Sequence, residues 1–461
     1  MEHCRQSRLV ETLVALALAL TATGCKRHVS NGDDTQLDAA YNPDACEGNL
    51  SCFLVDCAGK GLPPTSISGR VFAPNGTLPL YGVNVYVPIT DPGPLAEGAV
   101  CDRCANGLPG GAYTQTVTDE NGDFTLPNVP ATTDVPVIVQ VGKWRRRFTI
   151  PNVAACQNLP IDNAVTRLPK NQAEGDIPKI AITTGSADAL ECLPFKLGID
   201  AAEFTNDTGT GRVNLFTGNG TDRYNPPLNA GAVFPNATAA WSTTAKLKTY
   251  DITIMSCEGN QGAGTKPQSS MDAMKEYADL GGRVFMSHWH NIWIGGESGV
   301  PSHGIPDWEA ITTFNYAAAQ DQENTIASID QTVNKGMSFA KWLSNVGAST
   351  VFGQIPISGA RYTLPMADPT KSDRRVYLEP ALSNNHVSVQ DLEFTTPTTV
   401  APDQRCGKVV FSDMHVASGS SSAAGAGKAF PLGCSATPLS PQEKALAFIF
   451  FDISSCVGSI Q

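Results

Sequence analysis

Two short runs hold the side chains best suited to chemistry: His288-Trp289-His290 and Asp413-Met414-His415. Residues two apart on an extended chain project to the same side, so His288 pairs with His290 and Asp413 with His415. Together with Glu258 they offer three imidazoles and two carboxylates. That donor set suits zinc or another divalent ion with one position left for water. Without a metal, His288 and His415 are the candidate catalytic residues, His415 as a general base. A plainer alternative has Trp289 and Trp293 packing here while the histidines hydrogen-bond in a relic site that only binds. No His-x-x-Glu or His-Glu-x-x-His peptidase motif occurs. Cys101-x-x-Cys104 has the spacing of a redox pair or half a zinc site, but Gly and Pro surround it and no helix-opening context follows. Structural disulfides are the better reading. Asp119-x-Asn121-x-Asp123 imitates the start of a calcium loop, with Pro130 where the bidentate Glu belongs. Asn121-Gly122 reads first as a hairpin turn.

The elements that would position these groups fall into two patterns. From residue 66 to 153, short alternating stretches such as Val83, Val85 and Val87 are separated by turn residues, which predicts an all-β sandwich. Residues 154–178 contain Pro160, Pro169 and Pro178 and read as a linker. From 179 to 461, strands alternate with helices: Lys179–Thr184, Tyr250–Ser256, Arg283–Ser287 and Gly407–Ser412 against helices at 187–197, around Met271–Ala278, at Phe339–Val346 and at 444–453. Ser440-Pro-Gln-Glu443 is a capping box opening the last helix. The pattern predicts a doubly wound parallel sheet. Glu258, His288, His290, Asp413 and His415 then sit at the carboxyl ends of strands, where such sheets gather function. Lys143-Trp-Arg-Arg-Arg-Phe148 reads as a solvated strand face rather than a contact.

The front of the chain directs export. Arg5 and Arg8 precede a short apolar run, Leu9–Leu20, too short to span a bilayer. Ala22-Thr23-Gly24-Cys25 follows. Residues 26–65 form a polar, cysteine-containing tether. The net charge of −12 argues against a nucleic-acid partner, and 13 cysteines fit an oxidising compartment. Strand and helix directions place Cys406 and Cys456 at the amino edge of the sheet, and Cys192 and Cys257 at the carboxyl edge. The expected bridges are Cys406–Cys456 and Cys192–Cys257, leaving Cys434 over.

Four resemblances extend this reading. Ala22-Thr23-Gly24-Cys25 resembles a bacterial lipobox, which implies acylation of Cys25, residues 1–25 as the signal peptide, and a membrane anchor in the envelope. Ile67-Ser-Gly-Arg-Val71, Leu80–Val87 and Thr118-Asp-Glu-Asn-Gly-Asp-Phe-Thr-Leu126 resemble the carboxypeptidase regulatory-like family. That implies a transthyretin-like accessory sandwich rather than a peptidase. Tyr250-Asp-Ile-Thr-Ile-Met255, Gly281-Gly-Arg-Val-Phe-Met-Ser-His288 and Gly407-Lys-Val-Val-Phe-Ser-Asp-Met-His415 are similar to the class I glutamine amidotransferase-like superfamily, nearest its trehalose-utilisation type. The two domains together resemble a group of bacterial lipoproteins. His288 stands where amidotransferases place their cysteine, so the thiolate needed to attack an amide is absent there. The expectation is therefore an envelope lipoprotein with a catalytically degenerate α/β domain that binds a surface ligand, glycan by the resemblance. The alternative is a metal-dependent envelope hydrolase using the His288, His290, His415 edge.

Overall fold

Turn residues divide residues 66–160 into seven strands: β1 (Ser66–Arg70), β2 (Asn84–Pro88), β3 (Ala112–Val117), β4 (Asp123–Pro127), β5 (Thr133–Val141), β6 (Trp144–Asn152) and β7 (Asn158–Pro160). They make two sheets, ordered β4-β1-β7 and β3-β2-β5-β6. Ile67, Val85, Leu126, Val137 and Val139 are fully buried in one apolar cluster. The computed structural model describes residues 49–300, 302–416 and 428–458. The signal segment, Cys25 and residues 26–48 of the tether lie outside the described residues. The segment read as a linker contributes β7, which pairs in parallel with β1. The calcium-like loop is a turn: Asp119 Oδ1 accepts the Asn121 and Asp123 N–H groups at 2.8 and 2.9 Å. Asp123 is paired with Arg70 at 2.6 Å.

Beyond α1 (Asn163–Thr166) the pattern becomes mixed. The strands are β8 (Ile180–Thr184), β9 (Phe204–Thr205), β10 (Val213–Thr217), β11 (Ile252–Met255), β12 (Arg283–Ser287), a small pair β13 (Thr312–Thr313) and β16 (Met366–Ala367), β14 (Gln322–Ile329), β15 (Gln354–Arg361), β17 (Asp373–Leu378), β18 (Ser388–Thr396) and β19 (Gly407–Ser412). The helices are α2 (Cys192–Lys196), α3 (Ala237–Trp241), α4 (Thr244–Leu247), α5 (Gln268–Asp279), α6 (Ile292–Gly295), α7 (Gly336–Asn345) and α8 (Pro441–Ser454). One ten-stranded sheet runs β15-β14-β17-β18-β19-β12-β11-β8-β10-β9. From β9 to β19 neighbouring strands are parallel. From β19 through β18, β17 and β14 to β15 they are antiparallel. The expected wholly parallel sheet is thus corrected: residues 322–396 extend it with hairpin-type strands. The chain therefore has a β-rich amino region and a mixed α/β carboxyl region.

Alternate side chains of the parallel strands enter different cores. Ile180, Ile182, Ile254 and Phe285 pack with α8 and the β-rich region, whereas Ala181, Met255, Val284 and Met286 pack with α3, α4 and α5. This is the period-2 rule applied to a sheet covered on both faces. Helix α8 begins as the sequence predicts, with both halves of the Ser440/Glu443 capping box formed and Pro441 in the first turn.

The β-rich layer is fused to the sheet. Trp144 lies against Phe450 and Phe451 with ring centroids 6.1 and 5.7 Å apart. The Trp342 indole donates to the Pro79 carbonyl at 2.9 Å. The basic strand is part of this seam and not a solvated face. Lys143 pairs with Asp251 at the head of β11, and Arg145, 1% exposed, pairs with Asp176 at 2.7 Å. An added Cβ at Gly142 would lie 1.8 Å from the Ser454 carbonyl oxygen, so only glycine lets α8 end so close to the β5–β6 turn.

Candidate metal centre

Strands β11, β12 and β19 are neighbours and parallel, so their carboxyl ends open onto one place. β11 is followed by Ser256 and Cys257, β12 by His288, and β19 by Asp413, Met414 and His415. The Cys257 Sγ and one ring nitrogen each of His288 and His415 all lie within 4.8 Å of one another. Cys257 Sγ is 3.4 Å from His288 Nδ1, and the two imidazole centroids are 5.3 Å apart. With Zn–S of about 2.3 Å and Zn–N of about 2.0–2.1 Å, tetrahedral geometry requires S···N near 3.6 Å and N···N near 3.3 Å. The cluster is compatible with a divalent ion.

Local structure explains why these side chains converge. His288 turns the chain from strand to helix with φ +37°, and a 3-10 turn, His288–Asn291, starts immediately. A left-handed backbone costs a residue with a Cβ roughly 1–2 kcal/mol, and strain of this kind collects at functional sites. All three side chains are buried, at 0–1% exposure. Burial, reinforced by His415 and the Arg361 guanidinium, holds His288 well below the usual histidine range. Burial and Arg361 bring His415 down to about 3. Both rings are therefore neutral, the form that binds metal. Burial pushes the Cys257 thiol up to about 12, with Asp188 adding to it.

Three ring nitrogens of the cluster lack a hydrogen-bond partner. Neither ring nitrogen of His415 has a hydrogen-bond partner among the described residues, and His288 Nε2 makes none of full geometry there. Leaving such an atom buried and unpaired costs about 1–3 kcal/mol. Buried polar groups are otherwise almost always partnered. The expectation of a catalytically degenerate domain is overturned by this cluster: a thiol and two imidazoles, closely grouped and buried with three ring nitrogens unpartnered, have the geometry of a metal site.

The ligand set differs from the expected one. His290 is not aimed with His288, because the 3-10 turn replaces the extended chain on which that pairing depended. Its Nε2 contacts the Ser256 carbonyl at 3.0 Å, and its Nδ1 accepts the Trp293 indole N–H at 3.1 Å. Glu258 is held by Lys266 at 2.7 Å, a lysine that is itself fully buried. Asp413 also stays outside, since the chain leaves the strand at Ser412, whose Oγ accepts the Met414 N–H at 3.1 Å. Its carboxyl lies among Thr363, Leu364 and Arg361, and burial raises it to about 7.

The residue that sequence reasoning set aside is Cys257. Its expected bridge to Cys192 does not exist. Cys192 pairs with Cys434, and Cys257 is the free cysteine of the described residues. The helix expected at 187–197 starts only at Cys192; residues 185–188 cross over Cys257, and Cys192 lies beyond that crossing. Cys406 and Cys456 likewise do not pair with each other. They take Cys101 and Cys104, while Cys57 pairs with Cys156. The odd number of cysteines after residue 160 and the place of Cys257 beside β12 were the available signals.

No family model matches the chain, and no curated protein matches it. Among solved structures, a ThuA-like protein of Bacteroides uniformis aligns at 12% identity over 59% of this chain and 88% of its own, with a TM-score of 0.30. A type II cohesin–X-dockerin complex from Acetivibrio cellulolyticus aligns at 18% identity over 30% and 85%, with a TM-score of 0.17. BcpA, the major pilin subunit of Bacillus cereus, aligns at 13% identity over 23% and 30%, with a TM-score of 0.15. At these scores the likenesses carry no argument about fold or function.

Proposed function

We propose that this protein is a metal-dependent hydrolase of the bacterial cell envelope, with a divalent ion, zinc by donor chemistry, held by Cys257, His288 and His415. The observation that carries the reading is the convergence of three neutral, buried ligand atoms within 4.8 Å, two of them on a histidine and a cysteine 3.4 Å apart. One thiolate and two imidazoles are a ligand combination used by catalytic zinc sites that keep a fourth position open. An ion so held supplies Lewis-acid polarisation of a substrate oxygen and an ionised nucleophile from water near neutral pH. His288 presents Nδ1 toward Cys257, and its ring also meets the Ala319 backbone. The envelope location rests on the disulfides among the described residues and on the proposed acylation of Cys25, which membrane fractionation of Cys25→Ser tests. The two family resemblances of the sequence belong to this proposal as well.

The reading is tested by chelating the purified protein, restoring one equivalent of zinc, and assaying ester, phosphoester, amide and glycoside substrates. Hydrolysis of at least one class should disappear on chelation and return with zinc. Equal rates with and without metal, or no turnover of any class by the zinc-loaded protein, contradict it.

A further inference from the structure

A single short loop touches all three ligand-bearing segments. Residues 185–188 follow β8, which lies next to β11 but is separated from β19 by both β11 and β12. The Ala187 N–H donates to the Cys257 carbonyl at 3.1 Å. The Asp188 carboxylate, fully buried, then reaches across the strand ends. Its Oδ2 accepts from Ser287 Oγ at 2.7 Å, and its Oδ1 accepts the Val416 N–H at 2.9 Å. Ser287 immediately precedes His288, and Val416 immediately follows His415. The crossing is close enough to need a glycine: a Cβ at Gly185 would sit 2.1 Å from the Cys257 carbonyl oxygen.

From this geometry we infer that Asp188 is the positioning carboxylate of the metal centre, fixing His288 and His415 together through the residues beside them. The inference rests on the proposed metal site and adds a residue to it. Asp188 lies outside the ligand cluster, and each of its oxygens accepts a hydrogen bond, one from Ser287 and one from Val416. Its work is geometric. His288 occupies a strained left-handed conformation, which persists only where the surroundings over-determine it, and the Ser287 tether supplies that constraint one residue away. Val416 is the residue after His415, so the same carboxylate sets the distance between the two imidazoles. Groups outside the ligand shell that orient ligands in this way typically change metal affinity by about 10–100-fold when removed.

The test compares Asp188→Ala, Asp188→Asn and Ser287→Ala with the parent, using zinc affinity by competition with a chromophoric chelator and the visible absorption of the cobalt-substituted protein. Asp188→Ala should weaken zinc binding by about 10–100-fold and alter the cobalt spectrum. Asp188→Asn keeps an oxygen for the Val416 N–H and gains an amide donor for Ser287 Oγ, so it should retain affinity within about threefold and the parent spectrum. Ser287→Ala, which removes one hydrogen bond and no charge, should fall between them, and it carries the test if Asp188→Ala does not fold. Parent-like affinity and spectrum in Ser287→Ala and in any folded Asp188→Ala protein overturn the positioning role while leaving the metal site standing. A parent that takes up no metal overturns the site and the positioning role together.

Discussion

His415→Leu should reverse the order of stability between metal-free and zinc-loaded protein. Without metal, the parent buries two ring nitrogens that have no hydrogen-bond partner among the described residues, each at a cost of about 1–3 kcal/mol. Leucine removes both, so in chelator the variant should unfold at the same temperature as the parent or above it. With zinc the parent gains RT ln(1 + [L]/Kd), about 4.1 kcal/mol at a thousandfold excess over Kd. For the unit from Asn49 to Gln461, at about 2.1 cal/mol/K per residue, this raises Tm by roughly 5 °C. The variant, missing one of three ligands, should show no such rise, and Cys257→Ala should behave alike. The pH dependence has a definite sign. Both imidazoles are neutral well below pH 6.5 and bring no proton to displace, while Cys257 stays a thiol to about 12. Metal uptake therefore releases one proton, and affinity should rise about tenfold per pH unit between pH 7 and 9. An equal zinc-induced shift in His415→Leu would sink this account of the site.

The second large effect is expected from the bridges that sew the β-rich layer to the sheet. Cys101–Cys406 spans 305 residues and Cys104–Cys456 spans 352, yet their half-cystines are only three residues apart on one side. They are not equivalent in the unfolded chain. Once the first bridge closes its loop, the second closes only a further circuit made of the 101–104 and 406–456 stretches, about 53 residues. The chain-entropy relation gives about 6 kcal/mol for the first and about 4 kcal/mol for the second, and measured bridges usually contribute less, about 2–5 kcal/mol each. Replacing all four cysteines with alanine should lower the unfolding free energy by about 5–8 kcal/mol, which is comparable with the whole stability of many proteins. Urea titration measures it. A loss below about 2 kcal/mol would mean that the apolar seam around Trp144, Phe450 and Phe451, and not the bridges, holds the layers together.

Much of the scaffold is readable where one signal acts alone. The capping box at Ser440, the helix stop before Gly281 and the apolar strands β11, β12 and β19 are local features, and the fold keeps them. The antiparallel extension is hidden because its strands bury charge. Arg375 pairs with Glu393 and Asp452, and Asp391 is fully buried beside them. A network of this kind breaks the apolar alternation by which strands are recognised. In the site, His288 and His415 are legible from their places after strands. His290 is misread because one 3-10 turn changes the direction of a side chain two residues on. Cys257 is misread because counting cysteines cannot supply partners; Cys192 bonds to Cys434, 242 residues along the chain.

The measurement closest to the central claim is the metal content of the protein as purified, combined with anomalous diffraction at the zinc edge. The account predicts one equivalent of metal per chain and a single anomalous peak bonded to Cys257 Sγ, a His288 ring nitrogen and a His415 ring nitrogen, at about 2.3 Å from sulfur and about 2.0–2.1 Å from nitrogen. A protein that remains free of metal after equilibration with zinc, or a peak bound elsewhere while Cys257 stays 3.4 Å from an unligated His288, would contradict it.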